Sequence, residues 1–261
     1  MVRIGVQEGP TVLISLDNAI LAAANLQTIV VSFKAGDTIF QRGATAQFVY
    51  VVRKGALCRF RPLPGGRRSI LQFFFAGDGF GYEPSRYHRD TVQALTDTEV
   101  RAAGRKALVA ASKSQCSAAF FAAATRALVI AEEQSVCVRG RTATERTALF
   151  LLEMHTRLSV GNQITLPMSR KHISDYLGLT LETVSRAMNE FRRAKIIEIP
   201  DHEPRRIIIR NKVRLQKLAS DASQFGWWKQ SRHRRISSVE ETDLTTIRRP
   251  IETDTGSLLT I

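Results

Sequence analysis

Residues 168–210 read MSRKHISDYLGLTLETVSRAMNEFRRAKIIEIPDHEPRRIIIR. Ser169 or Met168 can cap a helix over KHISDYL, Gly178 permits a tight bend, and Thr180 can start a second helix over LETVSRAMNEFRRA. Two helices joined by so short a glycine turn form a helix-turn-helix. Leu181, Val184, Met188 and Phe191 fall at i, i+3, i+7 and i+10, one apolar face suited to packing on Ile173, Tyr176 and Leu177 of the first helix. Glu182, Ser185, Arg186 and Asn189 then share the opposite side, near the helix's N-terminal half.

That half is what enters a major groove. Arginine forks onto guanine O6 and N7, glutamate accepts from cytosine N4, and serine bonds to several bases; a good bidentate contact discriminates by about 1–3 kcal/mol. Such a polar face is most often simply solvated and laced with i,i+4 pairs. Here its surroundings point to nucleic acid. Arg170 and Lys171 start the preceding helix, Arg192, Arg193 and Lys195 follow the second, and Arg205-Arg206 sit in a turn between IIEI and IIIR. A β-hairpin behind a helix-turn-helix is a wing, and its basic tip can reach phosphate. Ser169, Thr180 and Thr183 complete the expected backbone-facing set, with Arg170, Lys171, Arg205 and Arg206.

The bulk numbers agree. The 261 residues carry a net charge of +14, which draws the chain toward a polyanion or an acidic surface. Residues 141–219 hold 15 Lys/Arg against 8 Asp/Glu, residues 1–140 hold 17 against 10, and residues 220–261 are balanced at 6 and 6. Per residue the helix-turn-helix segment is the most basic. The length allows one or two domains, and no apolar stretch approaches the roughly 18 residues of a membrane span. Nor is there a signal-peptide pattern, since Asp17 and Asn18 break the apolar patches near the start. A cytoplasmic location without membrane contact is expected. Three scattered cysteines are too few for a disulfide framework or a four-thiolate site.

Outward from the motif, Val30 to about Leu108 is a series of short β-rich runs punctuated by glycine, as in an all-β roll or barrel, with Leu63-Pro64-Gly65-Gly66 its best hairpin turn. Residues 117–139, SAAFFAAATRALVIAEEQSVCVR, have high helix propensity and apolar residues on two sides. Such a helix is either merely buried or packs on the roll and a partner together. Thr142-Ala-Thr-Glu145 is a capping-box pattern for a further helix, ended by Gly161-Asn162. VRLQKLAS is a short amphipathic piece beyond Asn211, and the mixed residues from Ser220 onward form a mostly disordered tail. The expected fold is α+β: an arm (1–28), a β-roll (29–115), a long helix (116–140), a winged helix-turn-helix (141–219) and a tail (220–261).

LPMSRKHISDYLGLTLETVSRAMNEFRRAKII resembles the winged-helix region of the CRP/FNR family of bacterial transcription regulators, more narrowly the FNR/FixK branch. The similarity spans nearly residues 30–219. It implies a cyclic-nucleotide-binding-type roll, a long dimerisation helix at 116–140, and a homodimer that reads palindromic double-stranded DNA and activates transcription by touching RNA polymerase. In that branch the glutamate, serine and arginine of E-x-x-S-R read TTGA-type half-sites, which implies these roles for Glu182, Ser185 and Arg186. CRP-type recognition helices carry an arginine before the glutamate and a glycine before the last arginine; Leu181 and Ser185 depart from that.

In family members that bind cAMP, a Gly-Glu pair and an Arg-Ser pair hold the nucleotide. The matching stretch here is GDGFGYEPSRYHRDTVQAL, with Tyr82 at the glutamate position and His88-Arg89-Asp90 near the Arg-Ser position. The resemblance therefore implies no cyclic nucleotide, and no cofactor is expected. Arg86, His88 and Arg89 form either a small anion site or, more commonly, a solvated loop. Oxygen-sensing members hold a cluster on four cysteines, mostly near the N-terminus; no cysteine here precedes Cys58. Cys58 beside Arg59 and Cys137 near Arg139 are candidate redox thiols, because a cationic neighbour lowers a thiol's pKa, although inert thiols are the default. His155 and His172 lack metal-ligand partners at useful spacing, and no hydrolase elbow, phosphate-binding loop or carboxylate pair marks an enzyme. Two rivals remain: a cAMP-dependent regulator, and a ligand-binding signalling protein whose winged helix contacts protein.

Overall fold

The computed structural model describes residues 27–83, 85–112 and 141–220. The arm up to residue 26, the helix expected at 116–140 with Cys116 and Cys137, and the tail beyond residue 220 lie outside the described residues.

The glycine-punctuated region folds as a roll of two antiparallel sheets. Its strands are β1 (Thr28–Phe33), β2 (Thr38–Phe40), β3 (Phe48–Lys54), β4 (Ala56–Pro62), β5 (Arg68–Phe75), β6 (Gly79–Phe80), β7 (Thr91–Ala94) and β8 (Thr98–Gly104). One sheet runs β1-β8-β3-β6 and the other β2-β7-β4-β5. Between them lie Phe40, Val52, Leu57, Phe74, Phe80, Val92 and Val100. The Pro64–Gly66 turn joins β4 to β5 as the sequence suggested. Gly55, between β3 and β4, is fixed by geometry: its φ is +91°, and a Cβ there would lie 2.5 Å from the Asp97 carbonyl oxygen. The strands stop at Gly104, earlier than the sequence indicated, because α1 (Arg105–Ser112) starts directly after β8.

The second described segment, from Arg141, begins with α2 (Ala143–Leu158), whose N-terminus carries the expected capping box between Thr142 and Glu145. β9 (Ser159–Val160) and β10 (Gln163–Thr165) follow, then α3 (Arg170–Leu177), α4 (Leu181–Arg193), β11 (Ile197–Glu198), β12 (Arg206–Ile209) and α5 (Lys212–Ser220). The four short strands pair in the order β11-β12-β10-β9, so the extended ITLPM segment helps to build the wing sheet. The apolar face of α4 is Val184, Ala187, Met188 and Phe191. Leu181, which the sequence placed on that face, is 40% exposed. It sits in the first turn, at the edge of the α3 contact, while Ala187 fills the i+3 slot after Val184.

The roll and the helix-turn-helix segment share one hydrophobic cluster. It runs from Cys58, Ile70, Phe73 and Phe75 of the roll to Phe150, Met154, Ile173 and Phe191. Strand alternation sends Phe74 inward to the roll's own core while Phe73 and Phe75 face the other way. The Phe73 ring lies 5.0 Å from Tyr176 and 6.4 Å from Phe150, centroid to centroid. Arg157 caps this seam. Its guanidinium stands 4.4 Å over the Phe75 ring, donates to the Phe73 carbonyl (3.3 Å) and pairs with Asp78. Beside it, burial raises the Glu153 carboxyl above its usual range, opposed by Arg157 and by the Tyr176 hydroxyl, which donates to it at 3.2 Å. Arg68 of β5 donates to Asp175 of α3 (3.2 Å).

Candidate nucleic-acid interface

Three small residues set the two helices. Ser169 is the N-cap of α3: its hydroxyl accepts from the His172 amide (3.3 Å), while His172 Nδ1 accepts from the Ser169 amide (3.2 Å). Gly178 closes α3 in the left-handed conformation, φ 65° and ψ 37°. Thr180 caps α4, accepting from the Thr183 amide at 3.2 Å, and the two threonine hydroxyls lie 2.9 Å apart. The caps leave both N-termini, with their partial positive charge, at the surface.

With Val184, Ala187, Met188 and Phe191 buried, helical geometry turns Glu182, Arg186 and Asn189 outward as exposed side chains, with Ser185 half-buried between them. A bond to its own backbone amide, then one from the Thr180 hydroxyl, then nearby Lys171, hold the Glu182 carboxyl below its usual range. It stands as an ionised acceptor. Lys171 is exposed and pairs with Asp175 one turn on, a partner that the i,i+4 spacing could have disclosed.

The expected backbone contacts divide. Lys171, Thr180 and Arg205 are exposed, and Ser169 and Thr183 are half-buried. Arg170 is half-buried too: burial pushes its guanidinium down, and its Nη1 is enclosed without an acceptor among the described residues. In the wing, Arg205 projects from the turn while its carbonyl accepts from the Leu166 amide (2.9 Å). Arg206 begins β12, half-buried, and pairs with Glu203 at 3.3 Å. The sequence treated the two arginines as equivalent; strand alternation separates them.

Cys58 corrects a sequence expectation. It is fully buried, and burial pushes its thiol up to about 11, with Arg68 opposing weakly. Arg59 cannot lower it, because neighbours along a strand point to opposite faces. Of the proposed anion loop, Arg86 and Arg89 are exposed, but His88 is buried against the Phe40 ring, 3.5 Å between centroids. Among the described residues no group of three His, Cys, Asp or Glu could hold a metal ion, and no helix is long and apolar enough to cross a membrane.

Residues 145–218 match the Crp-like helix-turn-helix domain family, and residues 30–115 match the cyclic nucleotide-binding domain family. The chain is 33% identical over 173 residues to the nitrogen fixation regulation protein FixK of Rhizobium meliloti, covering 66% of this chain and 80% of that protein. FixK of Azorhizobium caulinodans is 32% identical over 195 residues, covering 72% and 78%. Among solved structures, FixK2 from Bradyrhizobium japonicum superposes with a TM-score of 0.71 at 38% identity, covering 74% of this chain and 98% of that one. The capped helix pair, its outward polar face and these relatives agree: the chain belongs to the CRP/FNR family of DNA-binding transcription regulators, in the FNR/FixK branch.

Proposed function

We propose that the protein works in the cytoplasm as a homodimeric activator that binds TTGA-type palindromes without cAMP and contacts RNA polymerase. The observation that carries this is the exposed Glu182, Arg186 and Asn189 face, with half-buried Ser185 between them, on a helix whose other side is locked into a core. Glu182, Ser185, Arg186 and Asn189 read base edges; Ser169, Arg170, Lys171, Thr180, Thr183, Arg205 and Arg206 hold phosphates. Two such heads related by a dimer axis engage successive major grooves. A mobility shift on TTGA-type palindromes against scrambled duplexes tests the reading: equal affinity for both overturns it. Sequencing of genomic fragments bound in cells would then identify the regulated genes.

Replacing Arg205 with alanine is expected to weaken binding to operator and random DNA alike, and to flatten the log–log salt dependence by about one unit. A changed sequence preference at an unaltered salt slope contradicts a phosphate role. Arg206→Ala should have the smaller effect, because Glu203 already engages that guanidinium.

Operator binding is further expected to be indifferent to cAMP. Tyr82, at the position where cAMP-binding relatives carry glutamate, cannot accept ribose hydroxyls as a carboxylate does. A ligand shifts an equilibrium only through its differential affinity for the two states. A tenfold or greater gain in operator affinity with micromolar cAMP, about 1.4 kcal/mol of coupling, would restore the cyclic-nucleotide reading.

A further inference from the structure

The loop between β6 and β7 is folded around one of its own carboxylates. The Glu83 side chain is only 7% exposed. It accepts from the Arg89 backbone amide (3.4 Å) and from Arg89 Nε (3.2 Å), and lies 3.6 Å from Nδ1 of buried His88. Its own carbonyl accepts from Arg105 at 2.8 Å, which ties the loop to the start of α1. Asp90, 5% exposed in its side chain, does the same next door, pairing with Arg61 (2.8 Å) and approaching Arg59 (3.8 Å). Burial pushes the Arg59 guanidinium down, and the charges of Asp90 and then Glu83 push it back up. Arg61, His88 and Arg89 also line a wide cleft of about 500 Å³, together with Arg42, Ser85 and Tyr87.

A backbone amide and a guanidinium Nε of one residue, each reaching one oxygen of the same carboxylate, with the charge of Arg59 nearby, are what an oxyanion requires. We propose that Glu83 is a tethered anion: its carboxylate fills an oxyanion seat made by the amide and guanidinium of Arg89 beside His88, and so keeps the loop closed without a free phosphate group. The seat is satisfied in cis at the effective concentration of a linked group. The function of Glu83 is then to make the roll self-sufficient. The idea does not rest on the operator reading, because it is scored on the full chain without DNA.

The test is calorimetric titration of the full-length protein with inorganic phosphate, beside Glu83→Ala, which vacates the seat, and Glu83→Asp, which keeps its charge. The Glu83→Ala variant should bind phosphate about tenfold more tightly than wild type, the worth of one charge-assisted hydrogen bond. Glu83→Asp should behave as wild type, and adding Arg89→Gln to Glu83→Ala should abolish the gain. Where circular dichroism shows that Glu83→Ala does not fold, Glu83→Gln takes its place, with a gain in the same direction because an amide cannot neutralise Arg89. Equal phosphate affinity in wild type and a folded neutral variant, or a gain that survives Arg89→Gln, overturns the proposal.

Discussion

Phe191→Ala is expected to destabilise the DNA-binding segment by about 3–5 kcal/mol, the range for removing a buried phenyl ring. The side chain is 1% exposed and belongs to the cluster that includes Ile173, Leu177, Ile196 and Ile207. These neighbours come from α3, the α4–β11 turn and β12. The turn is taut: Lys195 adopts φ 54°, and the Ile196 amide donates to the Phe191 carbonyl (2.9 Å). It cannot collapse easily onto a cavity. Denaturant unfolding measures the loss, and binding to operator and random DNA should fall together because the whole reading head loosens. Phe191→Leu should retain much of the stability. A loss below about 1 kcal/mol for the alanine variant would contradict a tightly packed α4.

Arg186→Ala gives the opposite pattern. The side chain is exposed on the outer face of α4, so the denaturation midpoint should hardly move. Specific binding should lose about 1–3 kcal/mol, the worth of one bidentate guanine contact, and discrimination at a single base pair should disappear. Competition titrations with all four base pairs at each half-site position reveal which one relaxes. Equal losses on specific and random DNA would assign Arg186 to phosphate.

Much of the reading head was legible because its signals are local. Ser169, Gly178 and Thr180 act on the two or three residues beside them, so their identity and spacing announce the helix ends without knowledge of the fold. The polar stripe of α4 was equally plain, whereas Leu181 was misassigned because apolar spacing says nothing about where the partner helix stops. Contacts between distant residues could not be seen: Arg68 and Asp175 lie 107 positions apart. The redox candidacy of Cys58 failed for a related reason, since its cationic neighbour in sequence is on the far side of the strand, and the default of an inert thiol holds. Yet the unbroken run Phe73-Phe74-Phe75 held an unread hint. Alternating burial marks a strand with one wet face, and a continuous apolar run marks one covered on both.

That doubly covered strand has a thermodynamic consequence. Because Phe73 and Phe75 belong to the same cluster as Phe150, Ile173 and Phe191, unfolding the roll strips apolar cover from the DNA-binding segment, and the reverse holds as well. Neither body melts without exposing the other's surface to water. Scanning calorimetry should therefore record one endotherm for both, with calorimetric and van't Hoff enthalpies in agreement, and an alanine at Phe73 should split it into two.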